Sequence, residues 1–337
     1  MRLIATEEAF ATQEYVDEYL KLAAVVDTPA TRYLKMYYRG PLVRQLCDLE
    51  LRLADMDRHG VAMQLLSFTA PGVQAFDAGL GSEMAERAND YLAVAVRAHP
   101  NRLAGLGTVA PQSPSHAARE VRRVMTELEL SGIIINSHTQ GEFLDDEKFW
   151  PIFEAAVAHE APIYLHPYFP ADSMIGPYSR YGMMGALWGF AAECSLHVVR
   201  LILAGVFDQF PTLQIVLGHL GEGLPFWLGR LDNRYANILR RGGLEPLGMK
   251  QLARLPSEYF RSNFHVTTSG MNTHPPLEFV LNMLGPDRVM FAIDYPFEQS
   301  EEATAFIRSA PLAPEVMHKI AHENAEQLFK LPRVTGA

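Results

Sequence analysis

Short apolar runs recur along this chain, and each closes on a polar residue, a Gly or a Pro. Between them lie longer stretches whose apolar positions repeat every three to four residues. A continuous apolar run of four to eight residues suits a strand buried on both faces, and the longer period suits an amphipathic helix. On that basis the sequence predicts strands over 3–6, 62–68, 103–109, 132–135, 162–165, 213–217, 264–267 and 289–293. Helices are predicted over 48–59, 82–98, 115–128, 146–159, 192–207, 224–239, 275–284, 301–309 and 314–329. Gly60 supplies a stop for the first of these, Ser82 a cap for the second, and Pro275 a first-turn proline. Eight strand-plus-helix units with short connections predict an α/β fold, a (β/α)8 barrel. Three stretches fit no unit: 11–46, which lacks a clear period, 168–185, rich in Pro, Tyr and Gly, and the polar stretch 241–262. They read as insertions over the mouth of one domain spanning 1–337.

Composition narrows the choice of partners. Of 337 residues 48% are hydrophobic and 20% charged, which is ordinary for a globular protein with a large core. The net charge is −10 and no Lys/Arg-rich block occurs, so nucleic acid is not expected as a partner. A small anionic substrate remains compatible, because a few Arg residues can reverse the field inside a cleft. The two cysteines, Cys47 and Cys194, form no disulfide framework and suit a reducing cytoplasm. The N-terminus reads directly into a strand without a signal-peptide core, and no apolar stretch has the length of a membrane span.

Candidate chemistry lies at the strand ends. In barrels and open α/β sheets, reactive residues sit where a strand hands over to its helix. The 213–217 run is followed by Gly218-His219-Leu220-Gly221-Glu222. The first strand ends in Glu7-Glu8, the fifth in His166-Pro167, the eighth in Asp294-Tyr295-Pro296. Each has an ordinary explanation: a structural histidine, a turn-forming Asp, a solvated acidic pair, a rigid strand exit. Four such coincidences at ends that a barrel brings together are better explained by one site. Two His with two or three carboxylates suit a divalent metal of borderline or hard character, and the absence of Cys argues against a thiolate site. Among the other histidines, His59, His99, His116, His159, His197, His318 and His322 fall in or beside helices and read as packing or surface residues. His138, His265 and His274 are undecided, with His138 on a mouth loop.

The set as a whole resembles the amidohydrolase superfamily, in its aromatic-acid decarboxylase branch. The resemblance runs from Ala5-Thr6-Glu7-Glu8-Ala9-Phe10 to Lys330-Leu331. It includes Ala70-Pro71-Gly72-Val73-Gln74, Asn136-Ser137-His138-Thr139-Gln140-Gly141, Leu165-His166-Pro167, Gly218-His219-Leu220-Gly221-Glu222 and Asp294-Tyr295-Pro296-Phe297. Within the branch it looks most like the 5-carboxyvanillate decarboxylases, then the γ-resorcylate and 2,3-dihydroxybenzoate decarboxylases. The resemblance implies Glu7, His166 and Asp294 as metal ligands, and His219, paired with Glu222, beside the metal. The superfamily's hydrolases carry His-x-His on strand one, where this chain has Glu7 and Ala9. That departure implies a single divalent ion, Mn²⁺ first with Zn²⁺ or Mg²⁺ behind, and no organic cofactor.

The implied reaction is loss of CO2 from a benzoate with an ortho hydroxyl, with Asp294 as acid toward the ring carbon and His219 holding the carboxylate or moving a proton. Arg39 stands near an insertion Arg of the branch, and could equally be a solvated loop charge. Arg230 matches an Arg that in the branch reaches a neighbouring subunit's site, implying a homodimer or homotetramer. Phe190 and Phe297 are candidates for the ring wall or for the core. Two other functions stay open at this point: hydrolysis of a lactone or amide by a metal-bound water, and metal-dependent binding without turnover.

Overall fold

The structure, a computed structural model, describes residues 1–333, so the last four residues of the expected domain lie outside it. Eight parallel strands follow one another around a barrel in chain order: β1 Ile4–Phe10, β2 Met63–Phe68, β3 Leu103–Thr108, β4 Ile133–Asn136, β5 Ile163–His166, β6 Ile215–Leu217, β7 Phe264–Thr267 and β8 Val289–Met290. All eight predicted strands are present, and helices cover the outside. Nearly every strand residue is buried, as expected for strands with side chains filling the barrel on one face and helices packed on the other. Among the described residues, no helix is long and apolar enough to cross a membrane.

The seam between β8 and β1 is closed in an unusual way. β1 carries a register irregularity between Ala5 and Glu8. Main-chain bonds cross the seam at two places: Thr6 N–H donates to Phe291 O (3.2 Å) and Ala9 N–H to Tyr295 O (2.7 Å). Between them a side chain completes the ladder. The Glu8 carboxylate accepts from the N–H groups of Ile293 (3.0 Å) and Tyr295 (3.3 Å). Helix Leu49–His59 adds Arg52, fully buried, which donates to Gln64 Oε1 (2.9 Å) and the Ala9 carbonyl and lies 4.6 Å from the Tyr295 ring centre. Burial pushes the Glu8 carboxyl up to about 8, against the pull of the Ile293 N–H and Arg52. Glu7 and Glu8 are therefore not a solvated pair. Both are buried, and the two-residue period of a strand sends them to opposite faces.

Four expectations need correction. The 11–46 insertion is not irregular: it holds helices Gln13–Val25, Pro29–Tyr37 and Leu42–Cys47. Its first two are capped by Thr12 and Thr28, and their buried faces are built from Tyr15, Val16 and Tyr19 and from Ala30 and Thr31. Aromatic spacing replaces an aliphatic period there, which hid the helices. The helix expected from Ser82 begins at Ala78. Asp77 accepts from the N–H of Gly79 and Leu80, while Ser82 bonds back to Ala78 O inside the helix. The segment 192–207 is two helices, Gly189–Leu203 and Val206–Gln209, broken at Gly205 with φ 79°. The polar stretch before β7 likewise ends in a helix, Pro256–Asn263.

Candidate metal centre

Glu7 is the residue on which the mouth is built. It is 1% exposed on β1, and its Oε2 gathers three hydroxyl donors, from Tyr164, Thr267 (2.9 Å) and Ser269. Its Oε1 has no hydrogen-bond partner. That orphaned oxygen lies 3.7 Å from His166 Nε2 and 3.9 Å from His219 Nε2. Leaving a buried carboxylate oxygen unpaired is costly unless something cationic occupies the space it faces. Gly218, at the end of β6, makes room for it: a Cβ there would stand 2.6 Å from Oε1 and 2.8 Å from Oε2.

The other donors point the same way. His166 Nδ1 bonds to the Pro167 carbonyl at 2.8 Å, which places a proton on Nδ1 and leaves the Nε2 lone pair free toward Glu7. Ligand atoms of Glu7, His166 and Asp294 all lie within 4.8 Å of one another. His219 completes the group. Its Nδ1 is 2.6 Å from Glu222 Oε1, its Nε2 is 3.6 Å from Asp294 Oδ2, and its N–H bonds to Ser269 Oγ (3.0 Å). Two carboxylates and one imidazole with a free lone pair make a mixed O/N set that fits a divalent cation such as Mn²⁺ or Zn²⁺.

Backbone strain concentrates at this place. His219, Leu220, Glu222 and Asp294 all have positive φ, between 53° and 76°. Non-glycine residues in that region cost on the order of 1–3 kcal/mol each and persist where surrounding structure fixes them. Proton affinities are displaced accordingly. Burial works against ionising Glu7, but His219, His166 and the hydroxyl donors outweigh it, so its pKa lies below the ordinary value. Burial also works against charging His219, yet Glu222, Glu7 and Asp294 hold its pKa well above that of free imidazole. Burial lowers His166. Asp294 is raised to about 7, first by burial and then by the Glu7 charge, against the His219 hydrogen bond.

Above the group opens a cavity of about 570 Å³. His166, His219 and Asp294 form its floor, while Tyr33, Tyr37, Phe169, Phe190 and Phe297 supply aromatic walls. Phe190 and Phe297 both line this cavity. Neither Arg39 nor Arg230 does: both are exposed, and no Lys or Arg is among the residues lining the cavity. Glu222 is buried behind His219 and meets the cavity only through it. His138 is spent on its own loop, bonding Phe169 O (2.9 Å) and Gly141 N–H (3.1 Å). His197 is held between Ser137 Oγ and Leu144 N–H, each at 3.0 Å. His274 reaches Phe306 O (3.2 Å), and His265 bonds Arg288 (2.9 Å). Sequence reasoning missed Tyr164, Thr267 and Ser269. Tyr164 was within reach, since it precedes His166 by two and a strand repeats its facing every second residue. Ser269 lies past the strand end, where no period applies.

A sequence model of the amidohydrolase family matches residues 40–331. A γ-resorcylate decarboxylase from Polaromonas sp. is 34% identical over 98% of this chain and 99% of that protein. The crystal structure of 5-carboxyvanillate decarboxylase from Sphingomonas paucimobilis superposes with a TM-score of 0.95 at 45% identity, covering 98% of this chain and 99% of that one. The Novosphingobium aromaticivorans 5-carboxyvanillate decarboxylase, solved with manganese and 4-hydroxy-3-methoxy-5-nitrobenzoic acid, gives 0.94 at 42% identity, over 98% and 96% of the two chains.

Proposed function

The chain belongs to the amidohydrolase family, and from that premise we propose that it is a Mn²⁺-dependent decarboxylase of aromatic acids bearing a hydroxyl ortho to the carboxylate, working from one barrel domain. The observation that carries this is the orphaned Glu7 Oε1, buried and converging with His166 and Asp294 beneath an aromatic cavity. Glu7, His166 and Asp294 would hold the ion, with Zn²⁺ or Mg²⁺ as alternatives to Mn²⁺. When bound, a divalent ion supplies charge stabilisation and a fixed point for the acid's oxygen atoms. No organic cofactor enters the scheme.

The chain's own residues do the rest. Phe190, Phe297 and Phe169 clamp the ring by its faces and edges. His219, held protonated by Glu222, presents a positive Nε2 to the substrate carboxylate. Asp294, on the cavity floor with Oδ2 3.6 Å from His219 Nε2, would pass a proton to the ring carbon, and the electrons of the breaking carbon–carbon bond return to the ring as CO2 departs. Nothing on β1 adds a basic ligand beyond Glu7, because the same face two residues later carries Ala9. The named decarboxylase relatives also favour carbon–carbon cleavage over hydrolysis.

We assign Arg230 to a neighbouring copy's site in a homodimer or homotetramer. It follows Phe226 and Trp227 on helix Leu224–Arg240, which are 72% and 51% exposed, and Phe226 packs against both Trp227 and Phe279. An exposed aromatic cluster beside an unpaired-looking site cation is the surface a second copy would bury. Arg39, one residue from the cavity-lining Gly40, would reach the mouth by a small movement of its loop. The test is Mn²⁺-loaded protein against 5-carboxyvanillate, γ-resorcylate, 2,3-dihydroxybenzoate and salicylate, with lactones and amides alongside. Release of CO2 from one of the acids, lost on chelation and restored by Mn²⁺, is expected. Full activity in metal-free protein, or turnover of lactones alone, overturns the assignment.

A further inference from the structure

We propose that Glu8 is a positioning residue for Asp294, acting through the two peptide groups on either side of it. Asp294 sits at φ 76°, a conformation uncommon for residues other than glycine, although aspartate adopts it more readily than most. Its neighbours on both sides, Ile293 and Tyr295, give their N–H groups to one carboxylate, Glu8 Oε1 and Oε2. Across the seam the main chain bonds only the carbonyl side here, through Ala9 N–H to Tyr295 O, so the Ile293 and Tyr295 N–H groups take Glu8 as their acceptor. The Asp294 carbonyl is tied as well, accepting from Phe297 (2.8 Å) and Glu298 (3.0 Å) N–H. The Glu8 clamp therefore fixes the peptides that aim the Asp294 carboxylate at His219 and Glu7.

Its own position is secured from behind. Arg52 is fully buried and supplies the opposing charge. Its guanidinium is held by Gln64 Oε1 and the Ala9 carbonyl, and it lies over Tyr295, whose N–H Glu8 binds. One strand thus serves the site twice: Glu7 faces inward to the ion-binding group, and Glu8 faces outward to hold the residue opposite. Glu8 neither lines the cavity nor supplies a proposed ligand atom: its hydrogen bonds reach Asp294 through the flanking peptides, and its carboxyl also lies close enough to that of Asp294 for the two to repel when charged.

The kinetic arm of this inference rests on the decarboxylase reading; the metal-affinity arm does not. The experiment measures Mn²⁺ dissociation constants by the electron paramagnetic resonance signal of the free ion, with kcat, KM and Tm, for wild type, Glu8→Gln and Glu8→Asp. Glutamine would set its NH2 against one of the two N–H donors and so break half of the clamp. Partners that orient metal ligands typically contribute about 10–100-fold to affinity or activity. Glu8→Gln is accordingly expected to weaken Mn²⁺ binding and lower kcat by about tenfold or more, with KM moving less than about threefold. Aspartate keeps the two acceptor oxygens but reaches only part of the way, and should fall between. Asn324→Ala breaks bonds to Pro286 and Val289 carbonyls at the other end of β8. It should lower Tm without moving Mn²⁺ affinity. A folded Glu8→Gln with Mn²⁺ affinity and kcat within twofold of wild type overturns the proposal. So does a Glu8→Asp at wild-type values if the Gln variant does not fold, or an Asn324→Ala that weakens Mn²⁺ equally. If the wild type binds Mn²⁺ but decarboxylates nothing, the functional reading fails while the affinity arm still decides the clamp.

Discussion

Gly218→Ala isolates the ion-binding geometry with a single methyl group. Gly218 has φ −69° and ψ 179°, which alanine adopts freely, so no backbone strain confuses the result. The added Cβ would lie 2.6 Å from Glu7 Oε1 and 2.8 Å from Oε2. Restoring ordinary contact at 3.4 Å takes a displacement of about 0.8 Å. Glu7 cannot retreat without cost, because Tyr164, Thr267 and Ser269 all hold its Oε2. Either the carboxylate moves and sheds a hydroxyl donor, or β6 moves and takes His219 with it. Overpacking of this kind costs about 1–3 kcal/mol of stability. The functional cost is larger, since such sites tolerate only about 0.5 Å of misplacement. A shift near 1 Å is worth roughly 100-fold in rate, and a disturbed ligand about 10–100-fold in metal affinity. Thermal unfolding, Mn²⁺ titration and CO2 release on the best substrate measure the three quantities separately. A folded Gly218→Ala that binds Mn²⁺ and turns over within twofold of wild type would refute the placement of Glu7 Oε1 at the ion.

Asp294→Asn removes both a ligand and the proton source; decarboxylation should fall by at least about 10³-fold while circular dichroism stays native, and a loss under tenfold would take the proton-donor role away from Asp294. Tyr164→Phe deletes one of the three donors to Glu7 Oε2 and should weaken Mn²⁺ binding about tenfold with little change in KM, as read by ion titration. Glu193 is 2% exposed, and its oxygens find no well-formed hydrogen bond although Ser137 and the His138 and Tyr168 peptides lie near. Burial pushes its carboxyl from 4.5 to about 8. The folded state thus binds the proton more tightly than the unfolded one, and the stability this contributes is full below about pH 4.5 and lost as pH rises to 8. Relative to wild type, Glu193→Gln should gain thermal stability progressively across that window, by an amount on the order of a few kcal/mol at its upper end; a difference that does not change with pH counts against a protonated Glu193.

What could be read from the sequence and what could not divide along a physical line. Strand ends were legible because a buried parallel strand is a run of apolar residues, and a polar residue closing such a run has few other reasons to be there. Glu7, His166, His219 and Asp294 all carried that mark, and the barrel brings them together. The first two helices of 11–46 were not legible, because the first buries Tyr15 and Tyr19 against each other and Tyr38, and the second only Ala30 and Thr31, so neither shows an aliphatic stripe. The role of Glu8 was hidden for a different reason. Its neighbours in space are Ile293, Tyr295 and Arg52, two of them contacted through backbone atoms that are the same in every residue. Sequence pattern reports side-chain chemistry, whereas a barrel seam closed by a carboxylate is a matter of which N–H groups lack a partner. The adjacent acids Glu7 and Glu8 show both cases in one dipeptide. The first is recognisable by what it shares a mouth with, and the second only once the unpaired amides around Asp294 are located. Since Glu7, which faces the candidate ligand group, and Glu8, which binds the amides on either side of Asp294, are consecutive residues, a one-residue slip of β1 would exchange their faces and destroy both arrangements. The main-chain bonds of Thr6 and Ala9 across the seam are therefore as necessary to the site as its ligands.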